Sequence, residues 1–299
     1  MLMNCVHLFL YMFSVTIKFI FKKIYLLLFF LTLYSCAVNN KMMIGSEVAE
    51  ITLPLSFETQ KRKIQKNPNN QLFYLNASKS RITYAYGILM EKGDRLMYSD
   101  YYKSREYYTK SLDLFIISRN YLFNALELKY ENFITKMRNK EKIVFKKEDI
   151  DYLYWLSGSL AGSIQASQGD PQYLIDLPNI KWLLENAIAI DPDWQNGTLS
   201  AAMMSVYLND LTGDKNAQKI ALFYFDLAEK QSNASNASIY VTLAENYAVS
   251  LQDKKLFIEL LDKAINIDIN NNKSLKQSNK LSQSRAKWLK SRVDDLFYM

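Results

Sequence analysis

Histidine is almost absent from this chain. Its single copy, His7, and one of its two cysteines, Cys5, fall among the first ten residues, and the other cysteine is Cys36. A body lacking that leading segment has no histidine and no thiol apart from the one at its own start. That excludes a disulfide, a His or Cys metal centre, and any His-based general base or catalytic triad. Glycine and proline are scarce as well, 8 and 5 in 299 residues. The turn residues an all-β protein consumes are therefore missing, and helices are the expected elements. Polybasic blocks of the kind that bind nucleic acid are also lacking: the formal charge of +7, less Lys18, Lys22 and Lys23 of the leader, leaves +4 spread among interspersed acids. What the chain does have is apolar material, 49% hydrophobic and 14% aromatic, enough for a sizeable core.

The first 35 residues are not part of that core. Lys18, Lys22 and Lys23 precede the run IYLLLFFLTL, Ile24 to Leu33. It has the length of a signal-peptide core and falls short of the roughly 20 residues of a comfortable membrane span. Leu33, Tyr34, Ser35 and Cys36 follow, a leucine three before a cysteine with a small residue just ahead of it. This resembles a bacterial lipobox, in which Cys36 is acylated and becomes the mature N-terminus. The expected organisation is a lipoprotein signal peptide over 1–35, a lipidated tether over 36–45 and a single all-helical domain over 46–299. A signal anchor from Leu8 to Leu33 is the alternative, and Met12 is a second candidate start. Either way the body is exported. Ala37 favours the outer membrane, since no aspartate follows the cysteine.

The stretch Tyr152 to Trp194 organises the body. Leu153, Leu156, Leu160 and Ile164 keep a helical period, while Gly158, Gly162 and Ala166 recur every fourth residue on a nearly bare face. Glycine costs a helix interior about 1 kcal/mol against alanine, so that face implies a neighbouring helix that comes close. Gly169, Asp170 and Pro171 close the first helix, and a second runs from Ile180 to the stop at Pro192. The unit is a helical hairpin. Ahead of it, Ser46 to Ser56 reads as a helix ended or bent at Pro54. KRKIQKNPNN reads as a basic turn, Gln71 to Asp94 and Asp100 to about Ala125 as aromatic helices, and Lys129 to Lys147 as a charged connector. Behind it, Gly197–Leu211 pairs with Asn216–Glu229 and Ser238–Ser250 with Lys254–Ile267. Aligning LLENAIAID, YFDLAEKQS and LLDKAINID superposes Ala187, Ala228 and Ala264 at intervals of 41 and 36 residues, within the range of two-helix repeats. Asn271 to Lys280 reads as a polar linker, and LSQSRAKWLKSRVDDLF as a helix that caps the stack. The fold class is all-α: tetratricopeptide-like antiparallel helix pairs forming a compact α-solenoid.

Five segments in this order, TYAYGILMEKGDRL, LYWLSGSLAGSIQASQGDP, LPNIKWLLENAIAIDPDWQNG, ENYAVSLQDKKLFIELLDKAINID and SRAKWLKSRVDDLF, resemble the successive signatures of the T component associated with TRAP transporters, TatT, over roughly Pro54 to Phe297. The resemblance implies a periplasmic lipoprotein of helix pairs, assembled as a homotrimer, partnering the substrate-binding protein of a tripartite carboxylate transporter and holding an apolar pore or cleft. It implies no enzyme, and no cofactor is expected.

Tyr84, Tyr154, Trp155 and Trp182 are candidates to line such a channel, with helix-packing core as the other role open to each. Arg119 and Arg285 match arginines of the family's signature and would either receive a ligand carboxylate through forked hydrogen bonds or pair with an acid between helices. Two functions stand: an accessory of solute uptake that binds a small hydrophobic or amphiphilic carboxylate, and a lipid-anchored scaffold that holds proteins together at the membrane. A hydrolase working through a carboxylate pair ranks behind both, because no isolated acid pair stands out. The lipobox reading predicts that the wild-type chain takes up labelled palmitate and that Cys36→Ser yields an unacylated precursor; equal labelling of the two would contradict it.

Overall fold

Asparagine and aspartate side chains start five of the described helices. In the computed structural model, which describes residues 46–210 and 216–297, the side chains of Asn70, Asp100, Asp170, Asn236 and Asp253 each accept a hydrogen bond from a backbone N–H of the turn that comes next. Cys36, the leader and the tether lie outside the described residues. Contacts divide the chain into two units after Ala49, and the helix stack belongs to the second, from Glu50 onward.

Helix α1 is Ser46–Lys66. Helix α2, Gln71–Tyr84, runs through a π-helical segment, Ala85–Met90, into α3, Glu91–Leu96; α4 is Tyr101–Glu127 and α5 Phe133–Asn139. The central hairpin is α6, Ile150–Ala166, the short α7, Pro171–Leu174, and α8, Leu177–Ile190. Next come α9, Thr198–Leu208, α10, Ala217–Gln231, and α11, Ala237–Leu243, the last continued by a second π segment, Ala244–Ala248. The chain ends with α12, Lys254–Asn266, α13, Lys276–Lys290, and α14, Val293–Leu296. No strand occurs among the described residues. The all-α, tetratricopeptide-like expectation holds.

Successive helices pack antiparallel. Along α2 and α4, Ser78 Oγ donates to Ser118 O at 3.1 Å and Gln71 Nε2 to Ala125 O at 2.8 Å. The small residues Ser104, Ser111, Ser118 and Ala125 recur every seventh position of α4, all fully buried, and let the two backbones approach. Between α4 and α6 the close approach expected at the bare glycine face is real at Gly162, where a β-carbon would lie 2.4 Å from the Phe115 ring. One turn earlier it is not: a β-carbon on Gly158 would meet nothing within 4 Å. The three aligned alanines, Ala187, Ala228 and Ala264, are all fully buried, as close stacking of the repeats requires.

Several local expectations need correction. KRKIQK is the last part of α1, and the turn is confined to Asn67–Asn70; Pro54 lies inside α1 and does not end it. On one side of that helix Leu53 and Ile64 are buried, and Phe57 takes the Arg81 guanidinium over its ring at 4.4 Å. These contacts hold the helix through the one backbone bond that proline removes. The charged connector contains α5, whose Phe133 and Met137 are fully buried. The buried Asp149 carboxylate anchors the same segment, accepting hydrogen bonds from Lys129 at 2.6 Å, the Lys146 N–H at 2.7 Å and the Tyr130 hydroxyl. The polar linker is shorter than expected, because α13 begins at Lys276 with Asn279 fully buried. Asn279 accepts from the Ala237 N–H and donates to Ser235 O, so this polar side chain belongs to the packing.

The two glycines give a paired prediction. Gly162→Ala should cost about 1–3 kcal/mol through overpacking against Phe115, whereas Gly158→Ala should be neutral or gain up to about 1 kcal/mol from helix propensity. Urea midpoints of the two variants measure the contrast; equal costs would contradict the packing described.

Candidate functional site

Arg285 of α13 gathers three carboxylates. Its Nε and Nη2 donate to the two oxygens of Glu245 at 2.8 and 2.6 Å, and Nη1 donates to Glu91 at 2.5 Å and to Asp94 at 2.7 Å. Asp94 also accepts from the Tyr108 hydroxyl. Glu91 and Asp94 stand on α3, directly after the first π segment, and Glu245 lies within the second. Trp288, one turn on from Arg285, lies under both Arg285 and Arg95, at 5.6 and 5.3 Å from its ring centre. Burial pushes the Glu245 carboxyl upward, the Arg285 charge and hydrogen bonds pull it down, and Asp94 and Glu91 push it up again. Arg285 itself loses ground to burial but is held charged well above its ordinary value by Glu245, Glu91 and Asp94. The cluster is a closed ion network with the cation at its centre.

A second cluster, of aromatic rings, lies along α6 near Gly158. The Tyr86 hydroxyl, carried by the first π segment, donates to Gly158 O at 3.1 Å, and its ring meets Phe115 at 4.7 Å. The Tyr154 ring lies 5.4 Å from Trp155 and 5.1 Å from Trp194. Burial raises the phenols of Tyr86 and Tyr154 above the ordinary tyrosine value; Tyr154 adds to the shift at Tyr86, and Asp151 to that at Tyr154. Lys79 stands 5.8 Å over the Trp155 ring and pairs with Asp151 at 2.9 Å. The antiparallel register that sets Phe115 on Gly162 puts Arg119, one turn further along α4, level with Gly158, one turn back along α6. Arg119 is half-buried, and its Nε, out of contact with water, has no hydrogen-bond partner among the described residues. Such a donor is open to a water or to an acceptor from outside the chain.

Of the candidate residues, then, Tyr154 and Trp155 stand together and Arg119 lies one turn from their level, opposite Gly158. Tyr84 stands apart, edge-on to Phe57 at 5.9 Å. Trp182, only 9% exposed, packs edge-on to Phe145 at 5.7 Å, and Arg285 is taken up by its acids. The sequence reading missed Tyr86 and Trp194 as site residues, and Glu91, Asp94 and Glu245 as partners of Arg285. All five fall inside or beside the motif segments, which was the one available signal.

A family model described as TRAP transporter T-component matches residues 46–297. The chain belongs to that family. The T-component is an accessory of a transporter, and membership supports a membrane-associated, extracytoplasmic setting. A protein of Treponema pallidum (strain Nichols) described only as uncharacterized is 22% identical over 253 residues, covering 82% of this chain and 78% of the other. Among the described residues no helix is long and apolar enough to cross a membrane, and no group of three or more His, Cys, Asp or Glu could hold a metal ion. Where three carboxylates do converge in this T-component, a guanidinium already occupies the centre.

Removing that cation leaves three acids facing one another. Arg285→Met should cost about 3 kcal/mol at neutral pH, the lower end for breaking a buried ion pair, because the partners keep some exposure. The sign of its pH dependence follows from Glu245. A carboxyl raised in the folded state binds more protons there than in the unfolded chain, so stability falls as pH rises from its ordinary value of 4.5 through the raised one. Without Arg285 the upward causes are unopposed, and urea midpoints should show a smaller cost at pH 5 than at pH 7. A cost independent of pH would contradict the network.

Proposed function

We propose that this T-component is a non-enzymatic, lipid-anchored periplasmic accessory of a TRAP-type transporter, held at the outer membrane through Cys36. In this reading it works as a homotrimer, docks the periplasmic substrate-binding protein, and receives or passes a small amphiphilic carboxylate. The observation that carries the ligand part is the free flank of Gly158. A β-carbon on Gly158 would meet nothing within 4 Å, and the rings of Tyr154 and Trp155 stand one turn before it on the same helix. An apolar tail would lie against Tyr154, Trp155 and Trp194. The carboxylate would meet the Arg119 guanidinium, whose planar fork suits two oxygens and whose Nε lacks a partner. The Tyr154 hydroxyl, held protonated by burial, can donate to an anion and does not repel it.

A plain scaffold remains as the second reading, favoured by a specific observation: Trp182 packs as core and Arg285 is spent on its own acids. The two readings part at Trp155 and Gly158. If the rings border a ligand space, the soluble form lacking residues 1 to 36 should bind a fluorescent fatty acid. Trp155→Ala should then cost under about 2 kcal/mol, since little packed volume is lost, while weakening the probe about tenfold. Gly158→Leu should fill the space and abolish binding with the fold intact. If the rings are core, Trp155→Ala should cost about 3–5 kcal/mol and the parent should bind no probe, which would leave the scaffold.

A further inference from the structure

Helix α1 has one face docked and one face bare. Leu53 and Ile64 are buried beneath it, and Phe57 and Gln60 hold Arg81 through Phe57 O at 3.0 Å and Gln60 Oε1 at 2.8 Å. On the opposite side, at helical spacing, stand Ile51, 66% exposed, Leu55, 72% exposed, then Glu58, Arg62 and Lys66, with Lys61 and Lys63 exposed on either flank. The exposed apolar pair lies at the N-terminal end. The four cations lie at the other end against a single acid, and none of the four has an ion-pair partner among the described residues. Exposed isoleucine and leucine beside a dense positive charge suit a surface that is apolar just beneath a negative layer.

We propose that this outward face of α1 lies on the anionic headgroup surface of the membrane from which the chain hangs, Ile51 and Leu55 dipping below the headgroups and Lys61, Arg62, Lys63 and Lys66 meeting phosphates. The position of the helix in the chain selects this occupant. Nine residues separate Cys36 from Ser46, a reach of roughly 30 Å at full extension. Whether an acyl group on Cys36 or the apolar run Ile24–Leu33 holds the chain, α1 is confined to the lipid surface at high effective concentration, so weak attraction suffices. A second copy is a poor occupant: a parallel two-fold contact would set the four cations against themselves, and an antiparallel one would lay them on the exposed Ile51 and Leu55, with no acid but Glu58 to answer them in either case. The consequence is orientation: a single lipid attachment leaves a body free to tumble, whereas a flat α1 fixes which side faces the aqueous space.

The test uses the full-length chain held on vesicles by its leader, with Cys5→Ser and Cys36→Ser and a fluorophore on Leu55→Cys, or on Tyr102→Cys as the control, a residue 87% exposed on another element. Both positions are solvent-facing, so neither substitution disturbs the core. On vesicles of phosphatidylethanolamine and phosphatidylglycerol, a lipid-borne quencher should act on position 55 about tenfold more strongly than on position 102. On phosphatidylcholine alone, or with Lys61→Gln, Arg62→Gln and Lys66→Gln together, the difference should vanish. Equal quenching at the two positions on the anionic vesicles would overturn the proposal, and so would preferential quenching at 55 that ignores lipid charge. Protection of position 55 by cross-linking between copies would overturn it in favour of self-association. None of these outcomes involves the ligand or the transporter, so they stand apart from the fate of the proposed function.

Discussion

One guanidinium decides how the helix stack is closed. Arg285 lies 194 residues from Glu91 in sequence and 2.5 Å from it in space. Its bridge to Glu91, Asp94 and Glu245 joins the last long helix to the first helix pair and to the π segment behind α11. The approach is made by long side chains: Leu281 comes no nearer than 3.4 Å to where a β-carbon on Gly87 would stand, and Arg292 reaches back over Tyr98 at 4.7 Å. Lysine could not substitute. Three acids in different directions need a planar group with several fixed donors, and a bidentate grip on Glu245 still leaves Nη1 for the other two. Three convergent carboxylates without that cation would repel, so the acids and the arginine are a single requirement.

The two π segments put those acids in place. A π turn inserts a residue into a helix and rotates everything after it relative to everything before. Ala85–Met90 lets α2 keep its buried face toward α4 while Glu91 and Asp94 turn to α13. Within the same segment Tyr86 swings inward to bond Gly158 O. Ala244–Ala248 does the corresponding service for Glu245. The ion network and the aromatic cluster beside Gly158 therefore share a cause, one irregularity in one helix, and a change that restored a regular α-helix there would disturb both.

Much of the fold was legible because its signals are local. Glycines every fourth residue, Gly169 after the helix and Pro171 beyond it spell a hairpin to anyone counting residues, and Gly169 does take the left-handed conformation at φ 81°. The aligned alanines announce stacking. What escaped depends on partners far along the chain. KRKIQK reads as a solvated turn until Leu53 and Ile64 are seen docked beneath the same helix. The connector reads as charged because the two buried residues of α5, Phe133 and Met137, are outnumbered by lysines. At the site the limit is the same. Sequence spacing marked Gly158 and Gly162 alike, although only one meets a ring, because Phe115 is 47 positions away in sequence from the glycine it touches. Trp182 and Arg285 had the right chemistry for a ligand, and each is answered by a neighbour that no local pattern reveals.

An open solenoid can count freely. Each repeat meets only its neighbours, so a duplication or deletion lengthens or shortens the array and leaves the rest intact. A stack whose final helix must return to its first pair loses that freedom. Removing the pair that carries Ala228, for example, would bring the ends out of register and strand Arg285 away from Glu91 and Asp94. Repeat number is thus fixed by electrostatics at the seam, and divergence within this architecture is channelled into side chains and connecting loops, leaving the number of helices untouched.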